Sequence, residues 1–445
     1  MSTRRWLVIG LVIVVAVVLL LRYIVVPGPL AFAGGHTVPA ERYTGANPTG
    51  VPAELAQADA VARGRYLTDA ADCRACHTSE GGAPFAGGRA FKTPFGTLYS
   101  PNITADRDSG IGAWSEADFI RSVHEGIRAD GARLYPAFPY AAYTYLSDED
   151  VRAIRAYLLS LPAVKTAVPA NDLAFPFNQR WLMAIWARLY NPNQRFHPNP
   201  DKSAQWNRGA YLAEALAHCG DCHTPRNLFE GLDNRRKFAG ALTAGWQAYN
   251  ITSDSASGVG AWSNDQLVQY LSNGHAADRG TASGPMAEAV DLSFSRLAPS
   301  DISAIVAYLR SVPAKSSPGL PSSRTTLASA DPSVGVPASL DPRGKEIFEG
   351  ACVSCHAWSG QSLVIARATF TGARAVNDPT AINVAQIVIL GSTAPPAEPS
   401  AAMPSFGAAY SDAEIAAVAN YVTARFGAKS SAITAQQVAK LRDST

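Results

Sequence analysis

All six cysteines of the 445-residue chain fall into one pattern. They form Cys73-Arg74-Ala75-Cys76-His77, Cys219-Gly220-Asp221-Cys222-His223 and Cys352-Val353-Ser354-Cys355-His356. One helical turn sets thiols at i and i+3 toward the same side. Each thiol can add to one vinyl group of a haem, giving a thioether, and the adjacent histidine then offers the iron its proximal nitrogen. C-x-x-C-H is accordingly the signature of c-type haem attachment. Structural zinc wants four clustered N/S ligands, and these motifs stand well over a hundred residues apart. A thioredoxin-like dithiol does not need the histidine. The spacing therefore predicts three covalently bound haem c groups, with His77, His223 and His356 as axial ligands.

An internal ruler suggests the sixth ligands. Gly126, Gly274 and Gly391 each follow a helical stretch, and twelve residues on stand Phe138, Met286 and Met403. The chain holds only four methionines, and two fall on this register. A thioether sulfur on the distal side favours ferrous iron and raises the potential, so Met286 and Met403 are the expected distal ligands. Phe138 has no lone pair to give, and no methionine lies between His77 and Arg180. Haem 1 is expected to differ: either five-coordinate, or ligated by His124 or by Met183. Met183 would need its linker helix to fold back over the first module. The bland alternative for His124 is an exposed helix residue. His218 and His275 read as surface or supporting residues.

The elements that must carry these groups repeat. Arg63-Gly64-Arg65-Tyr66-Leu67 matches Arg208-Gly209-Ala210-Tyr211-Leu212, and Arg343-Gly344 begins the third copy. Asn102-Ile103-Thr104 and Gly110-Ile111-Gly112-Ala113-Trp114-Ser115 recur 148 residues on as Asn250-Ile251-Thr252 and Gly258-Val259-Gly260-Ala261-Trp262-Ser263. The two tryptophans read as core aromatics. A helical stretch leads into each motif, and each module closes with a helix. The first has Ser147 as N-cap, an apolar face of Val151, Ile154, Leu158 and Leu161, and Pro162 as its stop. The second carries Ile302, Ile305 and Leu309; the third opens at Ser411 with Ile415, Val418 and Val422 behind. No run reads as a long alternating strand. The expected fold is all-α: three tandem haem domains at 53–165, 200–315 and 338–430. Residues 162–200 read as a linker with a short helix at Trp181 to Tyr190. Residues 27–52 and 313–340 read as flexible tethers.

Residues Trp6 to Val26 are apolar except for Arg22, long enough to span a bilayer. Arg4 and Arg5 precede them, which leaves the N-terminus cytoplasmic and the haem domains periplasmic, held by a single pass in the bacterial inner membrane. The expected anchor covers residues 1–30. Ala31-Phe32-Ala33 matches a signal-peptide cleavage site, but the apolar run exceeds the usual length of a cleaved one.

Composition narrows the rest. Apolar residues make up 47% and charged residues 17%, which excludes wholesale disorder. A formal net charge of +2 gives no support for a nucleic-acid partner. There is no Rossmann fingerprint, nucleophile elbow or H-E-x-x-H, so substrate chemistry belongs elsewhere.

Over roughly residues 55–430 the sequence resembles the triheme cytochrome c subunits of bacterial membrane-bound dehydrogenases. The three C-x-x-C-H motifs, the Asn-Ile-Thr and Gly-x-Gly-x-Trp-Ser elements and Leu134-Tyr135-Pro136-Ala137-Phe138-Pro139-Tyr140 carry the resemblance. It implies a catalytic partner bearing flavin, a quinone cofactor or molybdopterin, and ubiquinone or a terminal oxidase as acceptor. The expected role is electron relay, with no substrate chemistry from this chain alone. The alternatives are a cytochrome c subunit of a respiratory oxidase, or a haem peroxidase using an open haem 1.

Overall fold

The computed structural model describes residues 3–27, 36–332, 334–392 and 402–443. The Ala31-Phe32-Ala33 match lies outside the described residues. Helix α1 (Thr3–Val25) opens the chain. Its stretch Trp6–Tyr23 has a mean hydropathy of 2.7, none of it buried. By length and composition it suits either a membrane span or a signal sequence.

The remaining helices fall into three similar groups. The first holds α2 (Ala60–Ala70), α3 (Cys73–His77), α4 (Glu116–Glu125), α5 (Tyr140–Tyr143) and α6 (Asp148–Ser160), with α7 (Leu182–Tyr190) following. The second holds α8 (Ala204–Tyr211), α9 (Gly220–His223), α10 (Asn264–Asn273), α11 (Pro285–Leu292) and α12 (Pro299–Ser311). The third holds α13 (Pro342–Ile347), α14 (Val353–His356), α15 (Ile382–Leu390) and α16 (Asp412–Phe426), and α17 (Ala435–Asp443) closes the chain. In each group the first helix packs across the last: α2 on α6, α8 on α12 and α13 on α16.

The repeated Arg-Gly pair explains that crossing. A Cβ on Gly64, Gly209 or Gly344 would lie 1.9 Å from Ala153 O, 1.9 Å from Ala304 O or 2.3 Å from Ala417 O. Each would also come within 2.9 Å of the Cβ of Tyr157, Tyr308 or Tyr421. Only glycine lets the two helix backbones approach so closely. The first and third closing helices begin as their sequences suggest. The Ser147 side chain accepts from Asp150 N, and Ser411 forms a capping box with Glu414. Val151, Ile154 and Leu158 are buried, as are Ile302, Ile305, Leu309, Ile415, Val418 and Val422.

The first two groups share one hydrophobic core and the third has its own. Between the first two, matching residues are exchanged. Tyr66 Oη donates to Asp301 at 2.6 Å and accepts from Ala298 N at 3.1 Å. Tyr211 Oη donates to Asp150 at 2.5 Å and accepts from Ser147 N at 3.2 Å. The two tyrosines are the same position of the repeat, and so are the two aspartates. The pair of groups is thus related by an approximate two-fold. Arg208 adds a two-pronged ion pair to Asp301 at 2.8 and 2.7 Å. The third group joins the second through Gln247 and Asn383, which exchange hydrogen bonds at 2.8 and 3.0 Å.

Three expectations need correction. The chain is mostly helical but also carries short antiparallel hairpins. β1 (Ala90–Thr93) pairs with β2 (Gly96–Tyr99), which β3 (Asp172–Leu173) joins. β4 (Ala241–Thr243) pairs with β5 (Trp246–Ala248), and β6 (His275–Ala276) with β7 (Gly280–Thr281). Strands of two to four residues are too short to show an alternating pattern. The two tethers, second, are fastened. Arg208 donates to the carbonyls of Pro48 and Gly50, both at 2.9 Å, and Gly50 N donates to Asp150 at 2.9 Å. Asn250 holds Lys315 O at 2.5 Å, and Arg324 N donates to Asn377 at 2.8 Å. Ser/Pro/Ala composition hides such backbone contacts, which are made by side chains elsewhere in the sequence. Third, His124 is 1% exposed, not a surface residue.

Candidate haem sites

The thioether candidates sit on short helices. Cys73–His77 is α3, entered from Asp72 at φ 51°. Cys219 and Cys352 immediately precede α9 and α14, each at the end of a stretch that begins with a π-helical turn, Leu212–Leu216 or Phe348–Cys352. None of the six cysteines is in a disulfide, so two thiols per motif are available for addition to a porphyrin.

The three histidines share one arrangement. His77 Nδ1 lies 2.8 Å from Pro101 O, His223 Nδ1 2.5 Å from Tyr249 O, and His356 Nδ1 2.6 Å from Ala368 O. A backbone carbonyl only accepts, so Nδ1 carries the proton and Nε2 keeps its lone pair for a metal. Burial also holds all three imidazoles below their ordinary value, favouring the neutral, ligating form. The donor set fits haem c in all three motifs: two thiols, then a histidine with its tautomer fixed.

Sequence reasoning missed these carbonyls, although a signal was present. Pro101 and Tyr249 directly precede the repeated Asn-Ile-Thr. Asn102 donates to Val164 O at 2.6 Å and accepts from Thr104 N at 2.8 Å. Asn250 donates to Lys315 O at 2.5 Å and accepts from Thr252 N at 2.8 Å. The motif thus clamps the loop to the chain leaving the closing helix, and with it the carbonyl that orients the histidine. Trp114 and Trp262 are half-buried at the edge of the core, their carbonyls held by Arg155 at 2.8 Å and by Arg310.

On the distal side the ruler glycines cap α4, α10 and α15, at φ 64°, 75° and 73°. The chain then returns past each one. Leu134 N donates to Gly126 O at 2.8 Å, Ala282 N to Gly274 O at 2.7 Å, and Ser392 N to Met403 O at 2.9 Å. Met286 lies in the first turn of α11. Phe138 and Met286 pack on the same core as Cys73 and Cys219, and Met403 on the same core as Cys352. Phe138 stacks edge-on with Tyr143 at 5.5 Å.

The two other candidates come from different helices, α4 and α7, which meet where Asn191 donates to His124 O at 2.8 Å. Nδ1 of His124 is 3.7 Å from Asp148 Oδ1, at the start of α6. Neither ring nitrogen of His124 has a hydrogen-bond partner, and burial with the nearby Arg195 charge pushes its pKa down to about 4. Met183 lies on α7, which does fold back over the first group. Trp186 stacks edge-on with Tyr140 at 5.8 Å, and Arg180 donates to Arg133 O at 2.8 Å. His218 Nδ1 faces Leu216 O at 2.9 Å and His275 Nδ1 faces Thr281 Oγ1 at 2.9 Å, supporting positions in both cases.

Helix pairs of this kind, each enclosing a C-x-x-C-H turn, define a c-type cytochrome, and the cytochrome c family profile matches residues 61–162 and 342–425. The chain is 38% identical over 426 residues to the fructose dehydrogenase cytochrome subunit of Gluconobacter japonicus, covering 89% of this chain and 85% of that one. It is 37% identical to the gluconate 2-dehydrogenase cytochrome c subunit of Pantoea cypripedii, covering 86% and 89%. It is 41% identical over 368 residues to a nicotinate dehydrogenase subunit of Pseudomonas putida; there the match spans 82% of this chain but only 30% of that much longer protein. The chain belongs to the cytochrome c subunits of membrane-bound dehydrogenase complexes.

Proposed function

We propose that the chain carries three haem c groups in tandem domains at 53–165, 200–315 and 338–430. In this reading it relays electrons from a periplasmic dehydrogenase subunit to ubiquinone or a terminal oxidase, with α1 retained as a single-pass anchor in the inner membrane. The observation that carries it is the threefold recurrence of two thiols beside a histidine whose Nδ1 faces a carbonyl. Haem c supplies a one-electron couple. The chain's own residues attach it through Cys73, Cys76, Cys219, Cys222, Cys352 and Cys355, and ligate it through His77, His223 and His356. Met286 and Met403 supply the distal sulfur in the second and third domains, raising those potentials.

Haem 1 is the distinct one, because Phe138 stands at the methionine register. It is either five-coordinate or takes a ligand from outside that register. Met183 is the better supplied candidate, since α7 covers the distal loop. His124 is the other, buried with its Nδ1 3.7 Å from Asp148 Oδ1.

The test is a haem count and a ferric spectrum on the purified chain. Three haems per chain, with one high-spin or bis-nitrogen signature beside two His/Met signatures, is the expected result. Two haems would sink the triheme reading. Three equivalent His/Met signatures that survive Met183→Ala would sink the haem 1 assignment. The isolated chain should oxidise no alcohol, aldehyde or sugar acid, and should co-purify with a catalytic flavin, quinone-cofactor or molybdopterin subunit.

A further inference from the structure

Large apolar side chains rarely stand exposed in a row unless something covers them. Helix α7 presents such a row. Trp181 is 63% exposed, Ile185 55% and Leu189 44%, and their i, i+4, i+8 spacing puts them on one face. The opposite face is already used: Ala187 and Tyr190 are buried, and Trp186 packs on Tyr140. A second apolar tip stands beside it. Leu228 is 78% exposed and Phe229 51%, and Trp186 Nε1 donates to Phe229 O at 2.9 Å, tying this loop to α7.

What covers this surface follows from where it lies. The end of α1 is fastened to the same two elements. Tyr190, the last residue of α7, donates to Val25 O at 2.9 Å, and Asn227, the residue before Leu228, donates to the same carbonyl at 3.1 Å. Arg235 donates to Tyr23 O and lies over the Tyr23 ring at 4.1 Å. Asn234 N donates to Pro27 O at 2.7 Å. A helix whose Trp6–Tyr23 stretch is wholly unburied, with a mean hydropathy of 2.7, therefore ends beside α7 and the loop that carries Leu228 and Phe229. Tryptophan and phenylalanine suit the boundary between headgroups and acyl chains. Arg188 on the same helix is exposed and suits anionic headgroups.

We infer that Trp181, Ile185 and Leu189 of α7, with the Leu228-Phe229 tip, form a membrane-docking surface that inserts into the outer lipid interface beside α1. The inference rests on the reading of α1 as a retained anchor. It gives the chain a second foothold, so that the first two domains lie down on the bilayer instead of tumbling on a tether. A helix lying in the interface with one apolar face buried is an established mode of membrane attachment.

The test uses the full haem-loaded chain in its native membrane. A photoreactive benzoyl-phenylalanine is placed singly at Ile185, Leu189 or Leu228, at Leu11 within α1, and at Leu363, which is 91% exposed in the third group. Irradiation followed by mass spectrometry reads what each probe has captured. The expected result is phospholipid adducts at 185, 189, 228 and 11, and none at 363. Adducts to another protein at 185 and 228, or no lipid adduct there while the Leu11 probe labels lipid, would overturn the docking surface and leave the anchor standing. Loss of α1 from the mature chain, seen in its intact mass, would overturn the anchor; lipid adducts at 185 and 228 in that processed chain would still support the surface. A paired Ile185→Asp/Leu189→Asp variant that keeps its three haems should lose phospholipid adducts at the 228 probe several-fold while the Leu11 probe labels as before. Unchanged labelling at 228 would count against the proposal.

Discussion

At the scale of single residues, each haem motif depends on a bond that its own five letters do not contain. The Nδ1–carbonyl contacts of His77, His223 and His356 hold each imidazole in one tautomer, so in the proposed haem sites the residues that place the carbonyls matter as much as the ligands. Replacing Asn102 with alanine should loosen the Pro101 carbonyl and lower the potential or raise the spin state of haem 1 alone; redox titration of the purified chain reads this. Where it is not bound to iron, His124 supplies a pH effect. Its pKa is pushed from 6.5 down to about 4, mainly by burial. Between those values the unfolded chain takes up a proton that the folded chain refuses, so stability is full above about pH 6.5 and falls as pH drops toward 4. The integrated loss is about 3 kcal/mol. Thermal unfolding followed from pH 7 to 4 should steepen through this window, and His124→Asn should flatten it.

At the scale of elements, three helix crossings depend on three glycines. Gly209→Ala places a methyl against Ala304 O, a backbone atom that cannot turn aside as a side chain would. Overpacking of this kind costs about 1–3 kcal/mol, and the α8–α12 crossing should lose at least that, visible as a lower melting temperature. Gly350→Ala, where nothing stands within 4 Å, is the matched control and should be near neutral. Ser411→Ala removes the hydroxyl half of the α16 capping box, leaving the Glu414 side chain on the backbone N–H of residue 411, and should cost ~1 kcal/mol.

At the scale of the whole molecule, the first two groups are one unit. The Tyr66–Asp301 and Tyr211–Asp150 exchange and the shared core bind them, whereas the third keeps a separate core. Asp301 is 2% exposed and paired with Arg208. Asp301→Ala leaves a buried guanidinium unpaired, at a cost of about 3–5 kcal/mol. Calorimetry should then show the transition of the first two groups falling while that of the third holds its place.

The sequence by itself made the candidate chemistry and most of the helices legible, because both are local. A C-x-x-C-H turn, a serine cap and an apolar stripe each span a few residues, so their geometry is set by helical periodicity alone. Repetition supplied the rest: the ruler from Gly126, Gly274 and Gly391 to Phe138, Met286 and Met403 is legible because three copies can be compared within one chain. Only the tertiary structure decided what depends on contacts between distant segments. It buried His124 at the start of α6, folded α7 over the first group, fastened both tethers through Arg208 and Asn250, and paired Tyr66 with Asp301. Those partners lie tens to hundreds of residues apart, and no periodicity connects them. They are chosen by which surfaces the packed helices leave facing one another.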